Sequence, residues 1–205
     1  MFDLNKLEKK FKERTPEPAG TLSRFAVLAL MTEIDGRLHF VMEKRASDMN
    51  RQPGEICFPG GRIEKGETHL ETALRETEEE LGIPHELVKI LGEPDFVVTF
   101  YDTVIYPFAG FVDKDILKNL KLSSHEVEKV IIVSAEFFKK PLTVNKILMH
   151  MTVPDDFPFE LIPNGKDYKW GKPIDYIEYF YKYEDDIIWG LTARIAQNIV
   201  DILGV

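Results

Sequence analysis

The stretch of sequence that decides the fold covers residues 58–83 and reads FPGGRIEKGETHLETALRETEEELGI. Thr68, with Glu71 three residues later, has the pattern of a capping box, which predicts that a helix begins here. Gly82 and Pro84 predict where this helix ends. The paired glycines before the helix allow the backbone to approach a phosphate group or a metal ion closely. The stretch therefore predicts a glycine loop followed by an acidic helix.

The acidic side chains of this helix are spaced for metal binding. Glu76, Glu79 and Glu80 stand at positions i, i+3 and i+4, so their carboxylates share one face of the helix. Hard divalent cations such as Mg²⁺ bind where several carboxylate oxygens converge. Residues 67–80 hold six acidic side chains against one basic side chain. A solvated acidic helix face is the alternative, and the glycine loop in front of the helix favours the metal site over it.

Together these residues resemble the Nudix box, G-x5-E-x7-R-E-U-x-E-E-x-G-U, in which U is a bulky aliphatic residue. The matching positions are Gly61, Glu67, Arg75, Glu76, Thr77, Glu79, Glu80, Gly82 and Ile83. Thr77 departs from the pattern because it stands in an aliphatic position. The resemblance implies the family's α/β/α sandwich, with a mixed sheet between helices, and hydrolysis of a nucleoside diphosphate linked to another group.

The same resemblance implies roles for the acidic residues. The ligands of Mg²⁺ or Mn²⁺ would be Glu76, Glu79, Glu80 and the carbonyl group of Gly60. Glu79 would also orient or deprotonate the attacking water, with Glu67 and Arg75 as a supporting ion pair. Several Nudix enzymes add a base from a loop outside the box. Glu126, just before a predicted strand, is the candidate here, and a surface glutamate at a strand edge is the alternative.

Residues 41–61 resemble a further motif, roughly LLTxR[SA]-x3-R-x3-G-x3-FPGG, that marks coenzyme A diphosphatases. The positions in register are Arg45, Ala46, Gly54 and Phe58 to Gly61. Glu43 replaces the threonine of the motif, and Asn50 replaces its second arginine, with Arg51 next to it. Arginine is suited to bidentate phosphate binding, and ordinary surface arginines are the alternative. The implied substrate-binding residues are Arg45, Arg51, Phe58, Gly60 and Gly61.

A third resemblance, again to coenzyme A diphosphatases, is the segment Ile188 to Arg194, which reads IWGLTAR. Trp189 and Thr192 in it receive no chemical role. The resemblances together imply metal-dependent hydrolysis of the diphosphate bond of coenzyme A or acyl-coenzyme A by water attack at phosphorus. The products would be 3′,5′-ADP and 4′-phosphopantetheine or its acylated form.

Three other functions stay open on the sequence. Tyr101 stands 18 residues past the box, near where enzymes for dinucleoside polyphosphates carry a tyrosine. Enzymes for ADP-ribose carry a proline near positions that Val98 and Thr99 occupy here, which makes that substrate the weaker alternative. A Nudix module that binds a nucleotide without cleaving it is the third, and the complete set of carboxylates disfavours it.

The rest of the chain predicts a single domain. Its parts are an N-terminal helix and connector over 1–20, the box over 60–83 and a loop-rich covering region over 141–187, within 1–205. Apolar runs predict strands over 24–34, 37–44, 95–101, 104–112, 127–133 and 176–183, and helical spacing predicts helices over 3–13 and 191–203. Strands mixed with helices, without regular alternation, predict a mixed sheet.

Composition limits the partners of the chain. With 26 basic and 35 acidic residues the net charge is −9, which argues against binding to nucleic acid. The longest apolar run, residues 25–31, is too short to span a membrane, and a single cysteine is typical of reducing compartments. We therefore expect a cytoplasmic protein with a small-molecule substrate and no membrane partner, and family analogy allows a homodimer.

Overall fold

The computed structural model describes residues 3–14, 18–20 and 22–204. Helix α1, Leu4–Lys12, begins where the Asp3 carboxylate accepts a hydrogen bond from the backbone N–H of Asn5 at 3.0 Å. Our prediction of a helix over 3–13 is confirmed, but none of the residues of α1 is buried. The connector that the sequence predicts over 16–20 lies in part outside the described residues.

Strands β1 to β8 form one mixed sheet. Their bounds are β1 Ser23–Ile34, β2 Arg37–Arg45, β3 Ile56–Cys57, β4 Gly60–Arg62, β5 Lys89–Gly92, β6 Val97–Val98, β7 Thr103–Phe111 and β8 Val127–Ser134. β1 runs antiparallel to β2 and parallel to β7, and β8 pairs with β2. Half of the residues of β1 are buried, in the stretch from Ala26 to Thr32, because both faces of the sheet are covered there.

Two helices cover the opposite faces of this sheet. They are α2, His69–Leu81, and α3, Gly190–Leu203. Successive residues of a strand point to opposite faces, so Val41 of β2 packs in the α2 layer, whereas Phe40 and Met42 pack in the α3 layer. The predicted α/β/α sandwich with a mixed sheet is therefore confirmed. Short 3₁₀ helices cover His85–Leu87, Ile116–Asn119, Ala135–Lys139, Phe159–Leu161 and Gly165–Asp167.

A second, antiparallel sheet follows in the chain. Its strands are β9 Thr143–Met149, β10 Ile174–Tyr183 and β11 Asp186–Trp189. The loop-rich region predicted over 141–187 does not anticipate β9, because nearly all side chains of β9 are exposed and the strand therefore lacks an apolar alternation. The predicted strand over 176–183 is confirmed within β10. Asp186 joins this sheet to the first through ion pairs with Lys44 and Lys129, each at 3.0 Å.

Other differences from the prediction involve short strands. β5 and β11 each span four residues, too few for a pattern to show in the sequence. Of the strand predicted over 95–101, only Val97–Val98 (β6) is a strand in the structure. A turn follows it, in which the Thr99 hydroxyl donates to the Thr103 carbonyl at 3.0 Å and Asp102 has a φ of 55°. The remaining predicted strands are confirmed with ends shifted by at most one residue.

No helix in the part of the chain that the structure describes is long and apolar enough to cross a membrane. The division of the chain into a catalytic part and a covering region over 141–187 stays a prediction. Within that region, residues 150–173 carry only two short 3₁₀ helices, as the loop prediction expects.

Candidate active site

Helix α2 begins and ends where the sequence predicts. The Thr68 hydroxyl accepts a hydrogen bond from the N–H of Glu71 at 3.2 Å, and the N–H of Thr68 donates to the Glu71 carboxylate at 2.7 Å. Gly82 ends the helix in the left-handed conformation, with a φ of 68°. Fixed ends determine which way each carboxylate of the helix points, so this local chemistry positions the site.

The glycine loop lies directly against α2. The N–H of Gly60 donates to the Glu80 carboxylate at 2.9 Å. A Cβ atom on Gly61 would overlap the Glu76 carboxylate, and one on Gly60 would overlap the backbone of Ala26 and Val27. We expect these glycines to let the backbone approach a ligand, and in the structure the nearby space is filled by the protein itself, by the Glu76 carboxylate at Gly61 and by β1 at Gly60. A contact of Gly60 or Gly61 with substrate stays a prediction.

Arg75 braces the acidic helix, as the sequence predicts. Its Nε atom donates to Glu67 Oε1 at 2.7 Å, which forms the expected ion pair between the loop and the helix. Its Nη1 atom lies 2.9 Å from Glu76 Oε1 and 3.0 Å from Glu79 Oε2. Hydrogen bonds from Arg75 and from the Thr72 hydroxyl lower the pKa of Glu67 to about 2. One guanidinium group therefore holds three carboxylates in register.

The three glutamates of the helix face lie in different environments. The side chain of Glu79 is 56% exposed, that of Glu76 is 18% exposed, and Glu80 as a whole is 4% exposed. Burial disfavours the charged form of a carboxyl, so it raises the pKa of Glu76 and of Glu80. Nearby carboxylates raise both values further. Glu76 and Glu80 thus face the interior, and Glu79 faces solvent.

The structure adds a carboxylate that the sequence does not assign to the site. Glu43 on β2 has no exposed surface. Its Oε1 atom accepts a weak hydrogen bond from the Cys57 thiol at 3.6 Å, and among the described residues its buried Oε2 atom has no hydrogen-bond partner. Burial raises the pKa of Glu43, and its charge raises that of Glu80. The signal in the sequence is the alternation of β2, because Glu43 stands two residues after Val41, on the α2 face.

Glu126, our candidate from outside the box, lies close to the same carboxylates. It is half-buried, and its carbonyl accepts a hydrogen bond from the N–H of Ala46 at 2.8 Å. Its charge contributes to the raised pKa of Glu43, Glu76 and Glu80. The turn before β8 therefore brings a further acidic group to the site, and its role as a base stays a prediction.

The motif upstream of the box contributes two arginines and one core residue. Arg45 donates from Nε to the carbonyl of Arg51 at 3.4 Å, and the side chain of Arg51 belongs to an exposed loop. Phe58, which we predicted to bind substrate, is 3% exposed and packs edge-on against Phe40 with ring centroids 5.5 Å apart. Its side chain is therefore not available to a ligand. Phe58 instead anchors the glycine loop in the apolar core.

The donor chemistry of the cluster fits a hard divalent cation. Carboxylates converge here from β2, from α2 and from the turn before β8, and the buried Oε2 atom of Glu43 is free of hydrogen bonds from described residues. With the side chains arranged as they are in the structure, no group of three His, Cys, Asp or Glu residues within the described ranges could hold a metal ion. Arg75 engages Glu76, and the Gly60 N–H engages Glu80, so these oxygens would have to turn to bind one.

An aromatic and charged cluster lies where β10 meets α3. Arg194, at the end of the IWGLTAR segment, stacks over the Tyr176 ring at 4.2 Å and donates to the carbonyl of Ile177. Trp189 stacks on Phe180 with ring centroids 5.7 Å apart. This segment therefore packs the terminal helix against the second sheet, which is a structural explanation for a part of the sequence that had received no chemical role.

Comparison with known proteins agrees with this site. A model of the NUDIX domain matches residues 22–149. Nudix hydrolase 3 of Caenorhabditis elegans is 31% identical over 188 residues, which cover 88% of this chain and 73% of that protein. The peroxisomal coenzyme A diphosphatase NUDT7 of Mus musculus is 25% identical over 188 residues, covering 88% of this chain and 70% of that protein.

A solved structure supports the architecture. The MutT/nudix family protein from Enterococcus faecalis superimposes with a TM-score of 0.53 at 13% sequence identity. The alignment covers 99% of this chain and 70% of that one. At this identity the likeness concerns the fold alone, and it extends over both sheets described above.

Proposed function

Because this chain belongs to the Nudix hydrolase family, we propose that it is a metal-dependent coenzyme A diphosphatase. Nudix hydrolases act on nucleoside diphosphate derivatives and generally use divalent metal ions. Here the substrate would be coenzyme A or acyl-coenzyme A, and the products 3′,5′-ADP and 4′-phosphopantetheine or its acylated form. The similarity to the mouse coenzyme A diphosphatase supports this choice at 25% identity.

The contact between Arg45 and Arg51 is the observation that carries the substrate proposal. The Arg45 Nε atom donates to the backbone carbonyl of Arg51 at 3.4 Å, which brings the Arg45 side chain to the backbone of the loop that carries Arg51. Burial raises the pKa of Glu43 and the charge of Arg45 offsets part of that rise, which supports a position of Arg45 near the carboxylates. Coenzyme A carries a 3′-phosphate in addition to its diphosphate. Two arginines beside a metal-binding cluster suit such a substrate, because guanidinium groups bind phosphate in a bidentate manner.

In the proposed reaction, some residues of the chain would hold the metal and others would accept the proton of the attacking water. When bound, Mg²⁺ or Mn²⁺ neutralises the diphosphate and lowers the pKa of a water molecule. The residues that would hold the metal are Glu76, Glu79, Glu80 and the Gly60 carbonyl. Glu79, which is exposed and oriented by Arg75, or Glu126 would accept the proton of the water that attacks phosphorus. The bond from that phosphorus to the bridging oxygen would then break. The other half of the substrate would leave as a phosphomonoester that keeps the bridging oxygen.

A substrate comparison with Mg²⁺ or Mn²⁺ tests the proposal. Coenzyme A, an acyl-coenzyme A, ADP-ribose, NADH and diadenosine polyphosphates are supplied separately, and the products are separated by chromatography. We expect the highest kcat/KM for coenzyme A or its thioester, with release of 3′,5′-ADP. A higher kcat/KM for any other compound of the set would overturn the substrate assignment.

Replacement of both arginines tests how the substrate is held. We expect Arg45→Ala with Arg51→Ala to raise the KM for coenzyme A about 10- to 100-fold, because hydrogen bonds between charged groups are worth about 1.5–3 kcal/mol. Arg37→Ala, in the exposed hairpin between β1 and β2, is the matched control and should leave KM unchanged. The wild-type chain should also prefer coenzyme A over dephospho-coenzyme A. An unchanged KM in the double variant would refute the arginine contacts.

A second candidate function is hydrolysis of dinucleoside polyphosphates. Tyr101 is 51% exposed and packs edge-on against Phe100 with ring centroids 5.0 Å apart, so the loop after β6 offers aromatic surface to a base. The substrate comparison distinguishes this function, and failure to cleave any of the compounds would favour a module that only binds nucleotides. A cytoplasmic location, expected from the composition of the sequence, and a homodimer, expected from family analogy, stay proposals. Light scattering tests the homodimer.

A further inference from the structure

We infer that Glu43 is a metal-binding residue of this site, supplied by β2 from outside the glycine loop and helix α2. The inference rests on the metal dependence in the proposed function and does not depend on coenzyme A as the substrate. It concerns a residue for which none of the sequence motifs provides a carboxylate.

The burial of Glu43 is the first argument. The residue has no exposed surface, and its Oε2 atom lacks a hydrogen-bond partner among the residues that the structure describes. Its Oε1 atom has only the Cys57 thiol at 3.6 Å, and a thiol is a weak donor. A carboxylate in such surroundings is costly unless a cation or further donors compensate its charge. The fold of the protein alone therefore does not explain why a glutamate stands here.

The groups that face Glu43 are the second argument. The positive charge of Arg45 lies near enough to offset part of the effect of burial on the pKa of Glu43, and the Nε atom of Arg45 donates to the Arg51 carbonyl. The other charged neighbours are carboxylates, and they are Glu76 and Glu80 of α2 and Glu126 of the turn before β8. Like charges repel, so it is costly to keep these four groups ionised together unless a cation lies between them. A divalent cation would satisfy the free oxygen of Glu43 and relieve the repulsion at once.

The third argument is that the two departures from the upstream motif also favour a metal ligand at position 43. Glutamate at position 43 adds a negative charge where the motif has threonine, and Asn50 removes a positive charge where the motif has arginine. Each change leaves less positive charge from the protein for the phosphates of a substrate. Bound metal must then contribute more of it, and a carboxylate ligand from β2 is a direct way to hold that metal. We expect this chain to bind Mn²⁺ more tightly than a variant with the threonine of the motif.

Mn²⁺ binding without substrate tests the inference. Free Mn²⁺ is measured by electron paramagnetic resonance during titration of the wild-type chain, Glu43→Gln, Glu43→Thr and the control Glu128→Gln. Glu128 is 43% exposed on β8 and pairs with Lys44, so it lies next to Glu43 in the sheet but outside the cluster. We expect the Kd for Mn²⁺ to rise at least ~10-fold in both Glu43 variants and to stay unchanged in Glu128→Gln. An unchanged Kd in both Glu43 variants would overturn the inference, as would a wild-type chain that binds no Mn²⁺.

Thermal unfolding separates a metal ligand from a structural residue. Without metal, Glu43→Gln should keep or raise the Tm, because it removes a buried carboxyl that faces other carboxylates and whose Oε2 atom has no hydrogen-bond partner among the described residues. The rise in Tm on adding Mn²⁺ should be smaller in this variant than in the wild type, since a ligand that binds only the folded state stabilises in proportion to its affinity. A lower Tm without metal, together with an undiminished rise on adding Mn²⁺, would show that Glu43 is only structural.

The two proposals fail in different ways. If the wild-type chain binds Mn²⁺ through Glu43 but does not cleave coenzyme A, the substrate proposal fails and the inference about Glu43 stands. If coenzyme A is cleaved and the affinity for Mn²⁺ is the same with Gln or Thr at position 43, the proposed function stands and the inference fails.

Discussion

Glu79 and Glu80 are neighbours in the chain, yet their carboxylates can do different chemistry. Glu79 is exposed and forms an ion pair with Arg75 at 3.0 Å, so its carboxylate is accessible to a water molecule. Glu80 is 4% exposed, accepts a hydrogen bond from the Gly60 N–H, and has a raised pKa because of its burial. Glu80 is therefore shielded from solvent, and its role as a metal ligand stays a proposal. Side-chain environment, not residue type, divides the roles.

Gly61 provides a prediction at the same scale. Its backbone does not require glycine for conformational reasons, but a Cβ atom would overlap the Glu76 carboxylate. We expect Gly61→Ala to lower the free energy of unfolding by about 1–3 kcal/mol, which is typical of forcing an atom into filled space. Denaturant unfolding measures the change.

A double-mutant cycle supplies the control for this prediction. In a Glu76→Ala background the carboxylate is absent, so Gly61→Ala should cost clearly less there than in the wild-type chain. Equal costs in the two backgrounds would mean that the close approach of Gly61 and Glu76 is not the reason for glycine at this position.

At the scale of elements, α2 depends on contacts at both ends and on a brace in the middle. The capping box at Thr68 and the left-handed Gly82 set its length. The ion pair of Arg75 with Glu67 ties the helix to the glycine loop that precedes it. Because the loop and the helix each contribute to the site, this brace keeps the two parts in register.

The brace predicts a pH dependence of stability. The folded-state pKa of Glu67 is about 2, below its ordinary value of 4.5, because Arg75 and Thr72 bind the charged form. A depressed pKa means that the stabilisation is present above pH 4.5 and is lost as the pH falls toward 2. The difference in free energy of unfolding between the wild-type chain and Glu67→Gln, measured without metal, should therefore shrink across this range. If this difference in the free energy of unfolding stays constant with pH, the ion pair of Glu67 with Arg75 does not stabilise the fold.

At the scale of the whole molecule, the two sheets meet through charged side chains as well as through the α3 layer. Asp186 of β11 forms ion pairs with Lys44 of β2 and Lys129 of β8, each at 3.0 Å. The side chain of Asp186 is 16% exposed. Hydrogen bonds from both lysines lower the pKa of Asp186. One carboxylate therefore connects the sheet that carries Glu43 to the second sheet.

Asp186→Asn tests this connection. We expect the free energy of unfolding to fall by about 1 kcal/mol, because partly exposed ion pairs contribute little individually and two are lost together. Asp185→Asn, one residue earlier and exposed, is the matched control and should have little effect. A loss of stability equal in the two variants would show that the ion pairs do not join the sheets.

The net charge of −9 also has a distribution that matters for function. Residues 67–80 hold six acidic side chains and one basic one, and the fold adds Glu43 and Glu126 to this acidic region. A polyphosphate substrate would be repelled by such a surface in the absence of metal. We therefore connect the acidity of the chain to a dependence on divalent cations, which the Mn²⁺ titration measures.

Much of the fold and part of the site could be predicted from local patterns. The capping box, the end of α2 at Gly82 and the pairing of Glu67 with Arg75 depend on residues within one stretch of chain, and all three are present. β9 could not be predicted because its side chains are exposed and its partner β10 lies about 30 residues later. Strand pairing over such distances leaves no periodic pattern when neither face is buried.

By itself, the amino-acid sequence determined the acidic helix, the glycine loop and the family, because spacing along one helix and chemistry at its ends are local properties. Only the tertiary structure decided which of these side chains meet others. It buried Phe58 in the core, left Glu79 in solvent, and brought Glu43 and Glu126 toward Glu80. The physical reason is that burial and charge repulsion depend on what other elements pack nearby, and those elements lie far apart in the chain.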